Sequence, residues 1–165
     1  MLFRSGPLAV HAHYSRNEVL VALGIWQAGE SRRRMVNEGV LHVPDRRLDV
    51  FFVTLRKTET EYSPTTMYAD YALSENLFHW QSQSTTAVDS ATGRRYLTHR
   101  ERGYTPLLFV REGRRLGTGE TAPYAFLGPC EYNSHEGSRP ISIVWRTRYP
   151  IPARLLRDFA SQRVG

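Results

Sequence analysis

Cysteine and lysine are nearly absent from this 165-residue sequence, and long apolar runs are absent altogether. The single cysteine, Cys130, excludes an internal disulfide and favours a reducing compartment, so we expect a cytoplasmic protein. Cys130 lies in an apolar stretch and is predicted to be a small core residue rather than a nucleophile. No apolar run approaches the ~20 residues that cross a bilayer, and Gly6 and Pro7 interrupt the first residues too early for a signal peptide. A membrane partner is therefore not expected.

Motifs that hold metals or phosphates are also missing. The six histidines are scattered, and the sequence has neither a zinc-ligand spacing nor a glycine-rich phosphate loop. Asp45, Asp49, Glu59 and Glu61 lie near one another, but none stands before an X-Lys step at the end of a strand, as a metal-dependent nuclease core requires. His79 could form an acid–base pair with a distant carboxylate. The favoured interpretation is a histidine that hydrogen-bonds on the face of a sheet. The sequence predicts neither an active site nor a cofactor.

Positive charge is in excess, and arginine carries almost all of it. The chain has 22 basic and 16 acidic residues, a net charge of +6, and Lys57 as its only lysine. Guanidinium groups bind phosphate and guanine through paired donors and stack on bases, although a GC-rich genome would also favour arginine codons. Arg32, Arg33 and Arg34 stand together in a segment without apolar periodicity. The alternative is a solvated surface run. Because phosphates would relieve the mutual repulsion of the three arginines, we expect a nucleic-acid partner.

Hydrophobic periodicity predicts helices near both ends of the chain and strands between them. Ser15 and Glu18 have the spacing of a capping box that opens the first helix, Gly24 is its expected end, and Pro152 fits the first turn of the last helix. Strands are predicted at residues 40–43, 50–55, 71–73, 77–84, 107–110, 124–127 and 141–145, with residues 94–102 and 132–140 in polar connections. This order predicts one α+β domain over residues 1–165, with a curved, mixed and mostly antiparallel sheet flanked by an N-terminal and a C-terminal helix.

The predicted strand over residues 77–84 has one apolar and one polar face. Side chains alternate along a strand, so Phe78 and Trp80 are predicted to point into the core. His79, Gln81 and Gln83 then share the opposite face, where they can meet base edges or phosphates.

Three segments resemble a known family: residues 63–66 (SPTT), 77–83 (LFHWQSQ) and 134–140 (SHEGSRP). They are similar to the poorly characterised domain at the C-terminus of some bacterial defence helicases, often behind a phospholipase-D-like nuclease. The resemblance covers most of the chain. The chain also resembles the sulfur-binding domains of phosphorothioate-dependent, type IV restriction endonucleases. These resemblances imply a non-enzymatic reader of double-stranded DNA that works beside a nuclease or helicase domain in the same or another chain.

The second resemblance implies a shallow apolar pocket with a tyrosine and a proline. Sulfur is larger, softer and less hydrated than oxygen, whereas a phosphate oxygen seated there would lose water without gaining a donor. The residues matched to this pocket are Tyr62, Pro64, Thr65 and Thr66. A second pair, Tyr149 and Pro150 with Ala153 beyond it, is the alternative, as is an ordinary turn that packs an aromatic ring on a proline. The first pair is preferred because it precedes the His79 strand.

Residues around the pocket would supply specificity through arginine forks on guanine or phosphate, and through a helix dipole that assists Arg16. The predicted base and phosphate contacts are Arg16, Arg32, Arg33, Arg34, His79, Gln81, Ser82 and Gln83. Other functions stay open. A reader of a modified base predicts a deep aromatic pocket for a flipped nucleotide. A metal-dependent nuclease predicts cleavage, and a protein-interaction module predicts an exposed apolar patch.

Overall fold

The computed structural model describes residues 8–25, 39–56 and 70–160. Its strands are β1 (His13–Tyr14), β2 (Val40–Val43), β3 (Leu48–Arg56), β4 (Tyr71–Ala72), β5 (Leu77–Gln81), β6 (Thr105–Gly113), β7 (Tyr124–Glu136) and β8 (Ser142–Thr147). Its helices are α1 (Arg16–Ala22), α2 (Ala91–Leu97) and α3 (Ala153–Phe159), with a 3-10 turn over Pro44–Arg46. No helix among the described residues is long and apolar enough to cross a membrane.

The strands form one open sheet of eight strands in the order β2-β3-β6-β7-β8-β5-β4, with β1 paired to β7. Only the central β3–β6 pair is parallel, and every other pairing of the described strands is antiparallel. Helices lie in the N-terminal and C-terminal regions. The predicted α+β class with a mixed, mostly antiparallel sheet is therefore confirmed.

The two central strands are buried on both faces. Along β3, Val50 and Phe52 enter one apolar cluster, whereas Phe51 and Val53 enter the other. Burial on both faces is the reason that this strand is an almost continuous apolar run rather than an alternating one. Residues of α1 complete one cluster, and residues of β5, β8, α2 and α3 complete the other.

The first helix follows its sequence signals closely. The Ser15 hydroxyl accepts a hydrogen bond from the Glu18 backbone N–H at 3.1 Å, and the Glu18 carboxylate accepts one from the Ser15 N–H at 2.8 Å. Val19 and Leu20 are buried, and Gly24 follows the helix with a φ of +69°. A positive φ at this place suits glycine, so the predicted capping box and helix end are both confirmed.

Two predicted connections are regular structure instead. Residues 91–97 form α2, which begins at the N-cap Ser90 and buries only Gly93 and Tyr96, so it has no apolar stripe to predict it from. Residues 132–136 continue β7, and the last four of them are exposed. This end of β7 is held by its pairing with β8 rather than by burial, and polar side chains gave no strand signal. Cys130 is buried as predicted, and burial raises the pKa of its thiol.

Candidate nucleic-acid interface

Two of the predicted contact groups cannot be placed. The preferred sulfur pocket, Tyr62, Pro64, Thr65 and Thr66, lies outside the described residues, and so do Arg32, Arg33 and Arg34. Their assignments stay predictions from the sequence.

Arg16 begins α1, as expected, and its guanidinium contacts aromatic rings of the domain. The Arg16 guanidinium carbon lies 4.4 Å from the centre of the Phe52 ring, and Nη2 donates to the Tyr124 hydroxyl at 3.1 Å. Arg111 lies 4.3 Å from the centre of the same Tyr124 ring. These contacts engage part of the Arg16 donor set inside the protein, and its predicted phosphate contact stays a prediction.

His79 and Gln81 lie on the face of β5 opposite the core. Phe78 and Trp80 are buried as predicted, and His79 stacks on Tyr71 of the neighbouring strand with ring centres 4.9 Å apart. Gln81 pairs with Ser142 of β8 on the other side. Both His79 and Gln81 are half-buried, so this polar face is partly accessible.

Ser82 and Gln83 lie beyond the end of β5, which stops at Gln81, so the strand prediction was too long. The Ser82 side chain is buried, and its hydroxyl accepts a hydrogen bond from the Ile141 N–H at 2.8 Å. Ser82 therefore joins β5 to the start of β8. The exposed Gln83 accepts from the Thr86 hydroxyl at 3.2 Å and is not part of the strand face.

The second aromatic–proline pair is exposed, and we call the surface of Tyr149, Pro150 and Ala153, with Gly128 and Val10 next to Tyr149, the Tyr149 notch. Tyr149 is 46% exposed, and Pro150 and Ala153 are exposed as well. Gly128 has a φ of +92°, and a Cβ there would lie 3.3 Å from Tyr149 Cδ2 and 3.5 Å from a Val10 methyl carbon. The glycine thus lets the tyrosine ring lie close to the β7 backbone.

Two hydrogen bonds fix the turn that carries the Tyr149 notch. Arg148 donates from its backbone N–H to the Pro129 carbonyl at 3.0 Å, and Ile151 donates to the Glu75 carbonyl at 2.7 Å. Pro152 then caps α3, where a proline needs no hydrogen-bond donor. The notch is therefore presented by a turn anchored on both sides of Tyr149.

His11 belongs to the segment that borders the Tyr149 notch beside Val10. Its φ is +75°, and its N–H donates to the Phe126 carbonyl at 2.6 Å. Its Nε2 is buried and has no hydrogen-bond partner among the described residues. Burial, and secondly the charge of Arg154, lower the pKa of His11. With His11 neutral, the positive charge beside it is that of Arg154.

Several arginines lie at the end of the sheet where β3 and β6 begin and β8 ends. We call them the arginine edge: Arg47, Arg100, Arg102, Arg146 and Arg148. Arg100 donates to the Glu131 carboxylate at 2.7 Å, and Arg146 donates to the Asn133 side-chain oxygen at 3.0 Å. Glu131 of β7 also pairs with Arg146 of β8 in register. Strand pairing collects these residues from distant parts of the sequence, so no local pattern could have predicted the cluster.

A comparison with protein families finds one match, to the model described as "Domain of unknown function (DUF3427)", over residues 8–159. The chain belongs to the DUF3427 family. No curated protein matches the chain. The matched residues include every element from β1 to α3, so the Tyr149 notch and the arginine edge are parts of the DUF3427 domain itself.

The DUF3427 domain also contains a buried ionic cluster around Asp49. Arg95 of α2 donates to both Asp49 oxygens, at 2.8 and 3.1 Å, and His42 Nδ1 lies 3.2 Å from Oδ1. Within the part of the chain that the structure describes, no three His, Cys, Asp or Glu side chains are grouped to hold a metal ion. The Asp49 carboxylate, first considered as a metal ligand, joins α2 and β2 to the central strand.

Proposed function

We propose that this DUF3427 domain is a reader of phosphorothioate-modified double-stranded DNA that holds the sulfur in the Tyr149 notch and the flanking phosphates on the arginine edge. It acts in the cytoplasm as the targeting part of a bacterial restriction system. Cleavage or unwinding is supplied by a nuclease or helicase domain of the same or another chain. The observation that carries the proposal is the exposed Tyr149 ring, fixed beside Pro150 and Ala153 and next to arginines.

The chemistry of the Tyr149 notch suits sulfur better than oxygen. The notch offers a tyrosine ring, a proline ring and a methyl group, and Arg148 and Arg154 flank it in sequence and are exposed. A phosphate oxygen seated on the apolar part would lose hydration without gaining a donor, which is unfavourable. A sulfur atom is weakly hydrated and loses less, so such a surface favours the modified backbone.

Charge supports a polyanionic partner. The chain carries +6, and the arginine edge adjoins the Tyr149 notch where β8 ends. Arginines that replace counterions around a duplex gain affinity from ion release, which makes binding depend steeply on salt. The arginine edge would thus supply affinity, and the notch would supply the preference for sulfur.

Two tyrosine–proline pairs compete for the role of sulfur pocket. The sequence predicts Tyr62 with Pro64, which lie outside the described residues, and Tyr149 with Pro150 is exposed on a backbone held by hydrogen bonds. We therefore base the proposal on Tyr149 and keep Tyr62 as the alternative pocket that a binding experiment must include.

The test measures the affinity of the domain for a short duplex with and without a single phosphorothioate at moderate salt. Tyr149→Ala and Pro150→Ala are expected to weaken binding of the modified duplex about tenfold, which is the effect of ~1.4 kcal/mol, and to change binding of the plain duplex little. Leu73→Ala is the matched control, because Leu73 is 47% exposed and lies outside the notch.

The outcomes separate the possibilities. A wild-type domain with equal affinity for both duplexes overturns the sulfur proposal. A selective loss in Tyr62→Ala and Pro64→Ala, but not in Tyr149→Ala, moves the sulfur pocket to the first pair.

A reader of modified bases is the second candidate, because the domain has a cavity of suitable size. A half-open cavity of about 500 Å³ lies between the β6–β7 connection and α3, with His13, Leu116, Pro123 and Phe159 in its lining. Small-molecule sites span about 300–1,000 Å³, a range that could hold a flipped base. A preference for duplexes with a modified base, lost on Phe159→Leu but kept on Tyr149→Ala, would support this function instead.

A further inference from the structure

One arginine of the arginine edge holds the segment of another in place without any carboxylate. Arg47 ends the 3-10 turn between β2 and β3, and its Nη1 donates to the Arg102 carbonyl at 3.0 Å. Arg102 lies in the connection between α2 and β6, and its Nε donates to the Thr98 hydroxyl at 3.0 Å. From these contacts we infer that Arg47 and Arg102 form a second phosphate-binding site for the backbone of duplex DNA. The inference rests on the proposed DNA binding and assigns a phosphate contact of the arginine edge, one that does not depend on sulfur, to these two residues.

Among the described residues, the hydrogen-bond partners of both guanidiniums are neutral, so no carboxylate there balances either charge. No carboxylate of residues 8–25, 39–56 or 70–160 lies within ion-pair distance of Arg47 or Arg102, whereas the neighbouring Arg95 and Arg100 each have one. A guanidinium has five N–H donors, and each of these two arginines spends one of them on the contacts above. Both side chains are exposed, so the remaining donors can reach a phosphate.

An exposed guanidinium that lacks a carboxylate partner can still gain one charge-assisted contact from a bound anion. A phosphodiester carries the missing negative charge, and charge-assisted hydrogen bonds from guanidinium to phosphate are stronger than neutral ones. Because the internal hydrogen bonds already orient the two side chains, less conformational entropy is lost when the phosphate binds. The site is thus pre-organised for an anionic oxygen.

The backbone of Arg47 gives an independent sign of a functional constraint. Its φ is +53°, in the left-handed region that favours glycine. Two hydrogen bonds hold it there, from the Arg47 N–H to the Pro44 carbonyl at 3.1 Å and from the Thr105 N–H to the Arg47 carbonyl at 2.9 Å. Stability alone would select glycine at this position, whereas an arginine there places a charge beside Arg102.

The site faces the same end of the sheet as the Tyr149 notch. Arg47 directly precedes β3, and Leu48 pairs with Thr105 at the start of β6. Arg100, in the same connection as Arg102, reaches Glu131 of β7, which pairs with Arg146 near the end of β8. A duplex seated at the notch therefore passes along the arginine edge towards Arg47 and Arg102.

The experiment measures duplex affinity between about 50 and 200 mM salt for Arg47→Gln, Arg102→Gln and the double variant, with modified and plain DNA. Each single change is expected to weaken both duplexes about tenfold at the lower salt concentration and to reduce the salt slope by about one, with the preference for sulfur unchanged. Arg47→Gly is included because glycine fits the backbone there. It should lose the same DNA affinity while the midpoint of thermal unfolding does not fall.

Arg115→Gln is the matched control for charge. Arg115 also donates to a neutral group, the Gly119 carbonyl at 3.0 Å, but it follows β6 at the opposite end of that strand. An equal loss of affinity in Arg115→Gln would reduce the effect to net charge and overturn the site. Unchanged DNA affinity in the Arg47 and Arg102 variants also overturns the phosphate site. If the wild type still prefers the phosphorothioate duplex in that case, the proposed function stays intact. A wild type that prefers neither duplex, with affinity still lost in both variants, overturns the sulfur proposal and keeps the phosphate site.

Discussion

At the scale of single residues, Asp49 is a buried charge whose partners matter for stability. Its side chain is 2% exposed, and its charge is balanced by Arg95, whose side chain is 14% exposed, and by a contact with His42. Removing one partner of a buried ion pair leaves the other charge desolvated and uncompensated, which is more costly than removing both.

We predict that Arg95→Met lowers the free energy of unfolding by about 3 kcal/mol, because it leaves the Asp49 carboxylate without its bidentate partner. Urea denaturation followed by circular dichroism measures this change. Arg94→Met, on the exposed side of the same helix, is the control and should stay within about 0.5 kcal/mol of the wild type. A loss for Arg95→Met no larger than that of the control would show that the ion pair does not stabilise the fold.

For single residues, the sequence predicts those contacts whose two partners are near each other in the chain. Ser15 and Glu18 are three positions apart, so their capping box could be predicted from spacing alone. Arg47 and Arg102 meet only after strands β3 and β6 have paired, and nothing in either local sequence indicates the other. The sequence offers the Tyr149 pair as an alternative, but the close approach of its ring to Gly128 is a contact that only the fold creates.

Among the elements, α2 depends on a glycine that its helix propensity argues against. Gly93 is buried inside α2, and a Cβ added there would overlap the Ala87 carbonyl oxygen and lie 3.2 Å from Ile141 Cδ1. Ser90 fixes this approach, because its hydroxyl accepts from the Gly93 N–H at 3.0 Å and donates to the Ala87 carbonyl at 2.6 Å.

We predict that Gly93→Ala destabilises the domain by about 2–3 kcal/mol, although alanine is the better helix former by roughly 1 kcal/mol, because overlap with the backbone outweighs propensity. Equilibrium unfolding in urea measures the change. Gly117→Ala is the control, since nothing lies within 4 Å of its added methyl group and the stability should be unchanged. A gain in stability for Gly93→Ala would mean that the Ala87 segment can move aside.

Elements with a buried apolar pattern were predictable, and elements held by other means were not. The central β3 was predictable from its almost continuous apolar run. The end of β7 is polar, and its strand geometry comes from its pairing with β8. Helix α2 lacks an apolar stripe because Gly93 and Tyr96 are its only buried residues, and Leu97 is only partly buried against the core. Pairing partners and close backbone contacts are properties of the fold, so a single sequence does not display them.

For the whole molecule, two histidines in different regions make stability depend on pH. His99 is buried in the connection after α2, where Nδ1 donates to the Tyr104 carbonyl at 3.0 Å and Nε2 accepts from the Tyr132 N–H at 2.9 Å. Burial is the main cause that lowers the pKa of His99 from its ordinary value of 6.5, and burial lowers the pKa of His11 as well. The folded domain therefore holds both rings in the neutral form.

We predict that the free energy of unfolding falls as the pH drops below about 6.5, because the unfolded chain then binds protons that folded His99 and His11 do not. Above that pH the two histidines make their full contribution to the free energy of unfolding. One such histidine adds a slope of at most about 1.4 kcal/mol per pH unit, and His99→Gln should remove its share. Urea unfolding of both proteins from pH 8 to pH 5.5 tests this. Parallel curves below pH 6.5 would exclude His99 as a source of the acid sensitivity.

The single parallel pairing, between β3 and β6, has a consequence for the order in which the chain folds. Leu48 meets Thr105, and the intervening chain contains α2 as well as β4 and β5, which belong to the far side of the sheet. The most apolar strand is thus made early during synthesis, and its parallel neighbour emerges only after that long segment. Contacts of such high sequence separation form slowly, because a large loop must close first. Until β6 arrives, β3 has an open edge that can pair with another nascent chain, so the central strand that stabilises the finished domain is also its main aggregation risk during biogenesis.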